Sequence, residues 1–443
     1  MSRSEPTPHP LSIWVVNPFD DIPGEGLPPL RFWSLCRVLA GRGHDVTWWT
    51  ADWSHRRKML RQPPPRVVAE EEGFGVWMVP VRPYRTNVSW ARRRSHRDFG
   101  RGFERMAMEA VASGRLERPD IILASLPPFE GPEAAARLAA RLDAVLVVDL
   151  MDLWPETFRR LLPGPEWLRR LVTPLFLGGM ERRRRQLLQQ ADGVSAATRR
   201  FAESALADVP GDRPTHVCHL GAYLQEYPDP PRPLPFDDHL PGAENLPATA
   251  GATGIDGDAR PLSCVYSGTL ERGQDLDTVL AAARVLSASG TAVEIHVAGS
   301  GRLEGKLKAD ARMVPGPCRV IVHGLLPRGA YARLLAECDV GLVAVKPESL
   351  VAVPYKACDY AAAGLAMVNS LPGELAEMIE ESRAGLSYTA GDPLSLAAVL
   401  GGLAGDRRRL LSLRQGARRL AAQHFDREVT YPRFSQWLES LAG

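Results

Sequence analysis

The chain has 443 residues, 45% of them hydrophobic and 24% charged, and 54 Lys/Arg against 52 Asp/Glu leave a net charge of +2. Such proportions belong to ordinary folded domains, two or three at this length, and exclude collagen, coiled coil and wholesale disorder. A charge so near zero also argues against a dedicated nucleic-acid binder, which needs a basic excess.

In chain order, Leu11 to Asn17 is an apolar run ending in turn residues and reads as a buried strand. Pro18 to Pro29 is a loop rich in Pro, Gly and acids. From Leu30 to Ala40 apolar residues recur at helical spacing, and Gly41 and Gly43 stop them before the strand Asp45–Thr50. This is a βαβ unit, which predicts parallel pairing. The pattern continues with a strand at 119–125, a helix at 130–142, a strand at 145–150, a helix at 181–190 and a strand at 193–196. Residues 227–261 are crowded with Pro, Gly, Ala and Asp and read as a linker with a surface insertion. A second series follows: strands at 262–268, 293–298, 319–323, 340–345 and 367–368, with helices at 275–287, 328–337 and 354–363 between them. Helices at 407–423 and 430–441 end it. The fold class is therefore α/β, two doubly wound Rossmann-like domains facing each other across a central cleft, with functional loops at the carboxyl ends of the strands. The expected division is 1–226, the linker 227–261, 262–415, and C-terminal helices at 416–443 crossing back to the first domain.

The charge is unevenly divided. Residues 1–225 hold 32 basic against 26 acidic residues and the remainder 22 against 26, and only five of the basic residues are lysine. The six cysteines (Cys36, Cys218, Cys264, Cys318, Cys338, Cys358) include no CxxC pair, so neither a zinc ribbon nor a disulfide framework is implied, and a reducing cytosol fits. The N-terminus is polar and Pro-rich, unlike a signal peptide, and no apolar run approaches the ~20 residues that cross a bilayer.

Several loops carry chemistry, each with a plainer alternative. Gly24-Glu25-Gly26 lets backbone amides approach a phosphate, or is a simple turn. Asp152-Leu153-Trp154-Pro155-Glu156 puts two carboxylates where sugar hydroxyls would bind, or caps its own turn. Ser267 to Asp275 joins a strand to a helix, and Arg272 there either grips a diphosphate or faces solvent. Gly299-Ser300-Gly301 is a short GxG. Pro354 to Gly364 is the most informative segment: the loop Glu348-Ser349-Leu350-Val351 precedes a helix that Pro354 starts and Gly364 ends. Lys356 adds a charge near the helix start, and Asp359, about one turn on, suits the two hydroxyls of a ribose; the plainer case is an amphipathic helix with both in solvent. The Arg92–Arg97 run with Trp90, Phe99 and Phe103, and the arginines flanking Leu171–Met180, suit an anionic membrane surface or a solvated helix face.

Taken together and in order, these motifs resemble retaining glycosyltransferases of family 4 with the GT-B fold, and most of all the WbuB-like branch that builds bacterial surface polysaccharides. Gly24, Gly26, Arg31 and the run Leu39–Thr47 match its front motif, Asp152–Glu156 its "DLWPE", and Tyr266 through Gln274 its "YxGNxGxxQ". Gly299–Gly301 matches "GxG", and Pro354 through Gly364 matches "PxKxxEYxAxG". Three positions depart: Asp359 stands for Glu, Val351 for the first acid of an E-x7-E pair with Glu348 as a substitute, and Thr269 for Asn.

The resemblance implies a hexosyltransferase that moves a sugar with retention from a nucleotide sugar, expected to be UDP-linked. Arg272, Lys356 and Asp152 become the expected catalytic residues. Gly24, Gly26, Gly268, Thr269, Gln274, Gly299, Gly301, Glu348, Ser349, Leu350, Val351 and Asp359 are expected to hold the donor, and Arg31, Trp154 and Glu156 the acceptor. No metal or other cofactor is expected. The implied partners are the nucleotide sugar, a polyprenyl-diphosphate-linked glycan and the inner leaflet of the cytoplasmic membrane, with the chain cytoplasmic or peripheral there. The alternatives are a pseudo-glycosyltransferase coupling a cyclitol and a non-catalytic membrane-peripheral scaffold.

Overall fold

Strand β1 (Ser12–Val16) is buried along its whole length, as a strand with helices on both faces must be. It is the centre of the first of two units in this computed structural model, which describes residues 10–22, 30–61, 66–69, 73–159, 166–207, 209–227, 260–271 and 273–442. One unit comprises Met1–Leu220 with Arg427–Gly443, the other Gly221–Asp426.

The first unit runs α1 (Arg31–Gly41), β2 (Asp45–Ala51), β3 (Trp53–Ser54), β4 (Met59–Leu60), β5 (Arg66–Ala69), β6 (Phe74–Val79), α2 (Trp90–Ala112), β7 (Ile121–Leu126) and α3 (Glu130–Leu142). It continues with β8 (Val145–Leu150), α4 (Glu156–Arg159), α5 (Glu166–Gln190), β9 (Gly193–Ala196), α6 (Arg199–Leu206) and β10 (Thr215–Val217). Its eight-stranded sheet has the order β10-β9-β8-β7-β1-β2-β6-β5. All neighbours are parallel except β5, which runs antiparallel to β6 at the edge. β3 and β4 form a separate small hairpin. Ile13, Val15, Trp48 and Leu123 pack against Phe32, Trp33, Leu35 and Leu39 of α1.

The arginine-rich run near residue 92 is the start of α2. Its buried face, Phe99, Phe103, Ala107 and Ala110, keeps helical spacing and leaves Arg93, Arg94 and Arg97 exposed. The stretch Leu171–Met180, expected as a short apolar piece before a helix at 181–190, is continuous with that helix as α5. Among the described residues no helix is long and apolar enough to cross a membrane.

The second unit runs β11 (Leu262–Ser267), α7 (Leu276–Ala288), β12 (Val293–Ala298), α8 (Glu304–Ala311), β13 (Arg319–Gly324), α9 (Arg328–Glu337) and β14 (Val340–Val343). Then follow α10 (Tyr355–Ala362), β15 (Ala366–Asn369), α11 (Glu374–Glu381), β16 (Gly385–Ser387), α12 (Pro393–Gly405) and α13 (Arg407–Leu420), with α14 (Arg427–Ala442) returning to the first unit. The sheet order is β13-β12-β11-β14-β15-β16 and every pair is parallel. Numbered within the unit this is 3-2-1-4-5-6, the doubly wound order, whose direction reverses between β11 and β14. The strand expected at 340–345 ends at Val343, and Val345 instead bridges Gln274.

The change of unit falls at Asp426. Of the C-terminal segment 416–443, α13 stays with the second unit, and α14 buries Tyr431, Phe434 and Leu438 against Phe32 and Leu35. Arg42 holds Glu439 with two hydrogen bonds, at 2.6 and 2.8 Å, and His44 adds a third contact at 3.1 Å. Burial raises the Glu439 pKa, but the bonds from Arg42, His44 and Ser435 outweigh it and bring the carboxyl down to about 2.

One ion pair ties the first unit together. Arg31, with no exposed surface, donates from Nε and Nη2 to the two oxygens of Asp149 at 2.8 and 3.0 Å, and from Nη1 to the Cys218 carbonyl at 2.6 Å. Ser195 Oγ adds a bond to Asp149 at 2.7 Å. The start of α1 and the ends of β8, β9 and β10 thus share one buried cluster. Removing one partner strands the other charge, so Asp149→Ala is expected to cost about 3–5 kcal/mol. All ten tryptophans lie in the first unit, so urea denaturation followed by tryptophan fluorescence reads this loss directly.

Candidate functional site

In a doubly wound sheet the loops diverge where strand order reverses, and this opens a crevice at the carboxyl ends of the two strands. In the second unit those ends are Ser267 of β11 and Val343 of β14. The loop after β11 turns through Gly268 (φ 134°), and the loop after β12 passes through Gly299 (φ 150°) and Gly301 (φ 155°). The two loops meet backbone to backbone. Gly268 and Leu270 amides donate to the Ala298 and Ser300 carbonyls at 3.0 and 2.9 Å. A Cβ on Gly299 would lie 1.8 Å from the Gly268 carbonyl oxygen, and one on Gly301 2.5 Å from that of Leu270. The GxG therefore owes its glycines to this close approach, and the amides of Gly268, Leu270 and Gly299 are bonded to the Ala298, Ser300 and Gly324 carbonyls rather than presented to a ligand.

The crossing leaves room for Lys356. Its Nζ sits 3.9 Å from the centroid of the Tyr266 ring and 3.4 Å from Gln274 Oε1. A Cβ on Gly268 would come within 3.1 Å of it. Tyr266, fully buried, donates to the same Gln274 oxygen at 2.8 Å and so orients it. Among the described residues no carboxylate lies within 4.0 Å of the ammonium. Burial alone lowers its pKa from 10.5 to about 7. Pro354 stands at the start of α10 and supplies no side-chain capping hydrogen bond. Glu348, Ser349, Leu350 and Val351 form the turn before it, with Glu348 exposed and Val351 42% exposed. Thr269 is also exposed at this edge. A cavity of about 250 Å³ opens beside Gln274, lined also by Leu276, Leu303, Lys306 and Lys346.

Asp359 lies one turn beyond Lys356, but its carboxylate is already engaged. Tyr227 Oη donates to Oδ1 at 2.5 Å, Tyr331 Oη to Oδ2 at 3.2 Å, and Arg328 stands 3.8 Å away while donating to the Tyr227 hydroxyl at 2.7 Å. Burial, then the Asp359 charge, pushes the Tyr227 hydroxyl pKa far up, so it remains a donor. These partners had no signal in the sequence, because Tyr227 and Asp359 are 132 positions apart.

The first unit separates the expected acceptor residues. Arg31 is fully enclosed in its pair with Asp149, so the expectation of an acceptor contact is corrected: its charge is neutralised inside the core. Asp152 accepts from its neighbour Leu153 N at 2.8 Å and from Thr157 Oγ1 at 3.1 Å, and burial raises its pKa. In this structure Oδ1 caps its own turn. Glu156 is held by Arg184 at 2.7 Å. Trp154 packs edge-on to Phe158 at 4.6 Å with the Arg92 guanidinium 6.0 Å from its centroid. Gly24, Gly26, Arg272 and nearly all of the linker 227–261 lie outside the described residues. Among the described residues no group of three or more His, Cys, Asp or Glu is placed to hold a metal ion.

Comparison with known proteins adds the family. Residues 30–221 match the glycosyl transferase 4-like domain, and residues 261–406 match glycosyl transferases group 1. HepE of Anabaena, solved in complex with UDP and glucose, is similar over 97% of this chain and 100% of its own, at TM-score 0.63 and 14% identity. Sucrose-phosphate synthase of Thermosynechococcus elongatus is similar over 97% and 99%, at 0.66 and 16%. WaaG, a glycosyltransferase involved in lipopolysaccharide biosynthesis, is similar over 96% and 98%, at 0.60 and 13%. At these identities the structural likeness shows the fold. No curated protein matches the chain in sequence. The two domain matches together make the chain a glycosyltransferase, built as two Rossmann-like units of the GT-B fold.

The glycine crossing makes a paired prediction. Gly299→Ala is expected to destabilise the second unit by about 1–3 kcal/mol or more, the cost of forcing backbone out of a disallowed region. Gly305→Ala, where an added Cβ meets nothing within 4 Å, is expected to lose nothing. Thermal unfolding followed by far-UV circular dichroism compares the two.

Proposed function

We propose that the second unit holds a UDP-linked sugar donor and that the chain transfers the sugar, with retention at the anomeric carbon, to an acceptor on the first unit. The observation that carries this is Lys356: a desolvated ammonium over the Tyr266 ring, without a carboxylate, beside the start of α10 at the strand-order reversal. A diphosphate is the group that such a place would stabilise. The UDP and UDP-glucose complexes of HepE support the nucleotide.

Departure of the nucleoside diphosphate builds negative charge on its terminal phosphate. A protonated Lys356 meets that charge where burial lowers the local dielectric, and a preoriented donor there is worth more than in solvent. Gln274 and the Tyr266 ring fix the ammonium before the donor arrives, so little reorganisation accompanies the step. Arg272 would add a second cation, and the helix start with the 348–351 turn would take phosphate oxygens. Asp359 would take a ribose hydroxyl together with Tyr227 and Tyr331, whose hydroxyls already fill part of its capacity. The reading gives no metal a part. On the acceptor side we infer a polyprenyl-diphosphate-linked glycan, in cell-surface polysaccharide synthesis of the WbuB-like kind, at the inner face of the cytoplasmic membrane. What supports this is the basic front half and the exposure of Val88 (72%), Trp90 (75%) and Leu175 (81%).

The depressed pKa gives a pH dependence with a definite sign. The free ammonium titrates near 7, and a bound diphosphate favours its charged form, so binding takes up a proton. Affinity for UDP-glucose is therefore expected to be level below about pH 7 and to fall by up to about tenfold per pH unit above it. UDP-glucose itself does not titrate there. Calorimetric titration between pH 6 and 9 is the check, with Lys356→Met weaker and flat across the range. Lys356→Ala is expected to lower turnover ~100-fold, the scale of losing one charge-stabilising donor, as read by nucleotide release from a panel of nucleotide sugars. No binding of any uridine nucleotide by the wild-type chain would overturn the reading.

A further inference from the structure

At the carboxyl edge of the first sheet, two cations have no carboxylate within 4.0 Å among the described residues. The β3–β4 hairpin turns through His55 to Lys58, and Lys58 closes it with a left-handed backbone (φ 55°), which a non-glycine residue keeps only where its surroundings require it. The hairpin is pinned by Asp21, which accepts from Ser54 Oγ at 3.2 Å and Arg56 Nη1 at 2.9 Å. This places Lys58 Nζ 2.7 Å from Asn87 Oδ1 and 4.8 Å from the centroid of the Tyr84 ring.

Arg92 arrives from the first turn of α2. Its guanidinium lies 5.2 Å from the Phe19 ring centroid and 5.9 Å from that of Tyr84, the same ring that Lys58 faces. Its Nε donates to His96 Nε2 at 3.2 Å and its Nη1 to the Asn87 carbonyl at 2.7 Å. His55 and His96 are neutral at pH 7; burial first and Arg92 next lower each pKa to about 3. Every group bonded to the two cations is therefore neutral. Among the described residues no carboxylate comes within 4.0 Å of Lys58 or Arg92, whereas the nearby Arg56 and Arg82 pair with Asp21 and Asp98. Glu130, 4.0 Å from His96 Nδ1, is itself held by Arg183 at 3.3 Å.

Two partly buried cations that share one ring and repel each other are costly unless an anion joins them. A guanidinium fork beside an ammonium suits the oxygens of a phosphate. The cavity behind the rings is about 10 Å³, space for roughly one water, so the ligand meets the cations from the open side. Val88 and Trp90, both exposed, precede Arg92 at the entry to α2 and offer apolar surface beside the charge.

We propose that Lys58 and Arg92 form an anion site in the first unit that takes a phosphate or diphosphate ester, the charged group of the acceptor. This deepens the acceptor half of the proposed function, and its test is separate from the donor site. The full chain is saturated with UDP, which occupies the second unit, and then titrated with inorganic pyrophosphate in a calorimeter. One pyrophosphate is expected to bind, with affinity falling at least tenfold in Lys58→Met and in Arg92→Met and recovering in part in Arg92→Lys. UDP affinity is expected to be the same in all four proteins, which also shows that the variants fold. Equal pyrophosphate affinity in wild type and both Met variants, or no binding in the wild type, would overturn the site. Parallel titrations with farnesyl diphosphate and glucose 1-phosphate separate a lipid-borne ester from a soluble one by which binds tighter; binding of neither also overturns the proposal. Failure of UDP to bind would overturn the donor reading alone, because the Met variants still distinguish pyrophosphate held in the first unit.

Discussion

The second unit is organised by a contact with no side chains in it. The loops after β11 and β12 bond to each other through their backbones, and the close approach requires glycine at 299 and 301. That crossing sets the height of the loop edge above the sheet. It also leaves the gap in which the Lys356 side chain lies across Tyr266 and reaches Gln274. The short GxG acts here as a packing device, and the cation it accommodates is the chemical element.

Net field and local field differ in sign within this chain. The back half is acidic by count, yet its strand-order reversal presents a lysine without a carboxylate partner, and burial is the only cause found for its depressed pKa. The front half is basic by count, and most of that charge is neutralised or solvated. Arg31 is paired inside the core, Arg183 and Arg184 hold acidic residues, and Arg93, Arg94 and Arg97 face water. What remains of chemical interest in the first unit is local: Lys58 and Arg92, desolvated by the same aromatic ring. Desolvation makes a few charges matter because interactions strengthen as the local dielectric falls.

The two units share a plan but are stabilised differently. The first concentrates the tryptophans and ties its strand ends by a buried ion pair and by α14, clipped through Glu439. In the second, Asp339 is buried under Arg260, Arg407 and Arg414 at the foot of β14. In both, a carboxylate with almost no exposed surface is matched by guanidinium groups whose forks supply several hydrogen bonds. Without them such a charge would be costly to bury.

The sequence carries the two α/β series, most of the strands and the ordered motifs of a glycosyltransferase. Apolar runs, helical spacing and Gly/Pro punctuation are local signals, and apart from β5 the two large sheets are parallel, so most strands show as short buried runs. It did not reveal β6 or the length of α2 and α5, where charge-rich or glycine-containing stretches mask the period. What individual residues do depends on partners that folding brings from far along the chain. Arg31 and Asp149 are 118 positions apart and Tyr227 and Asp359 are 132 apart, so no spacing rule pairs them. The same geometry turned Asp152 into a cap for its own turn and joined Lys58 to Arg92 across one ring. A motif states which groups are near one another along the chain. Charge, burial and the partner that neutralises it are properties of the neighbourhood in space, and folding alone assembles that.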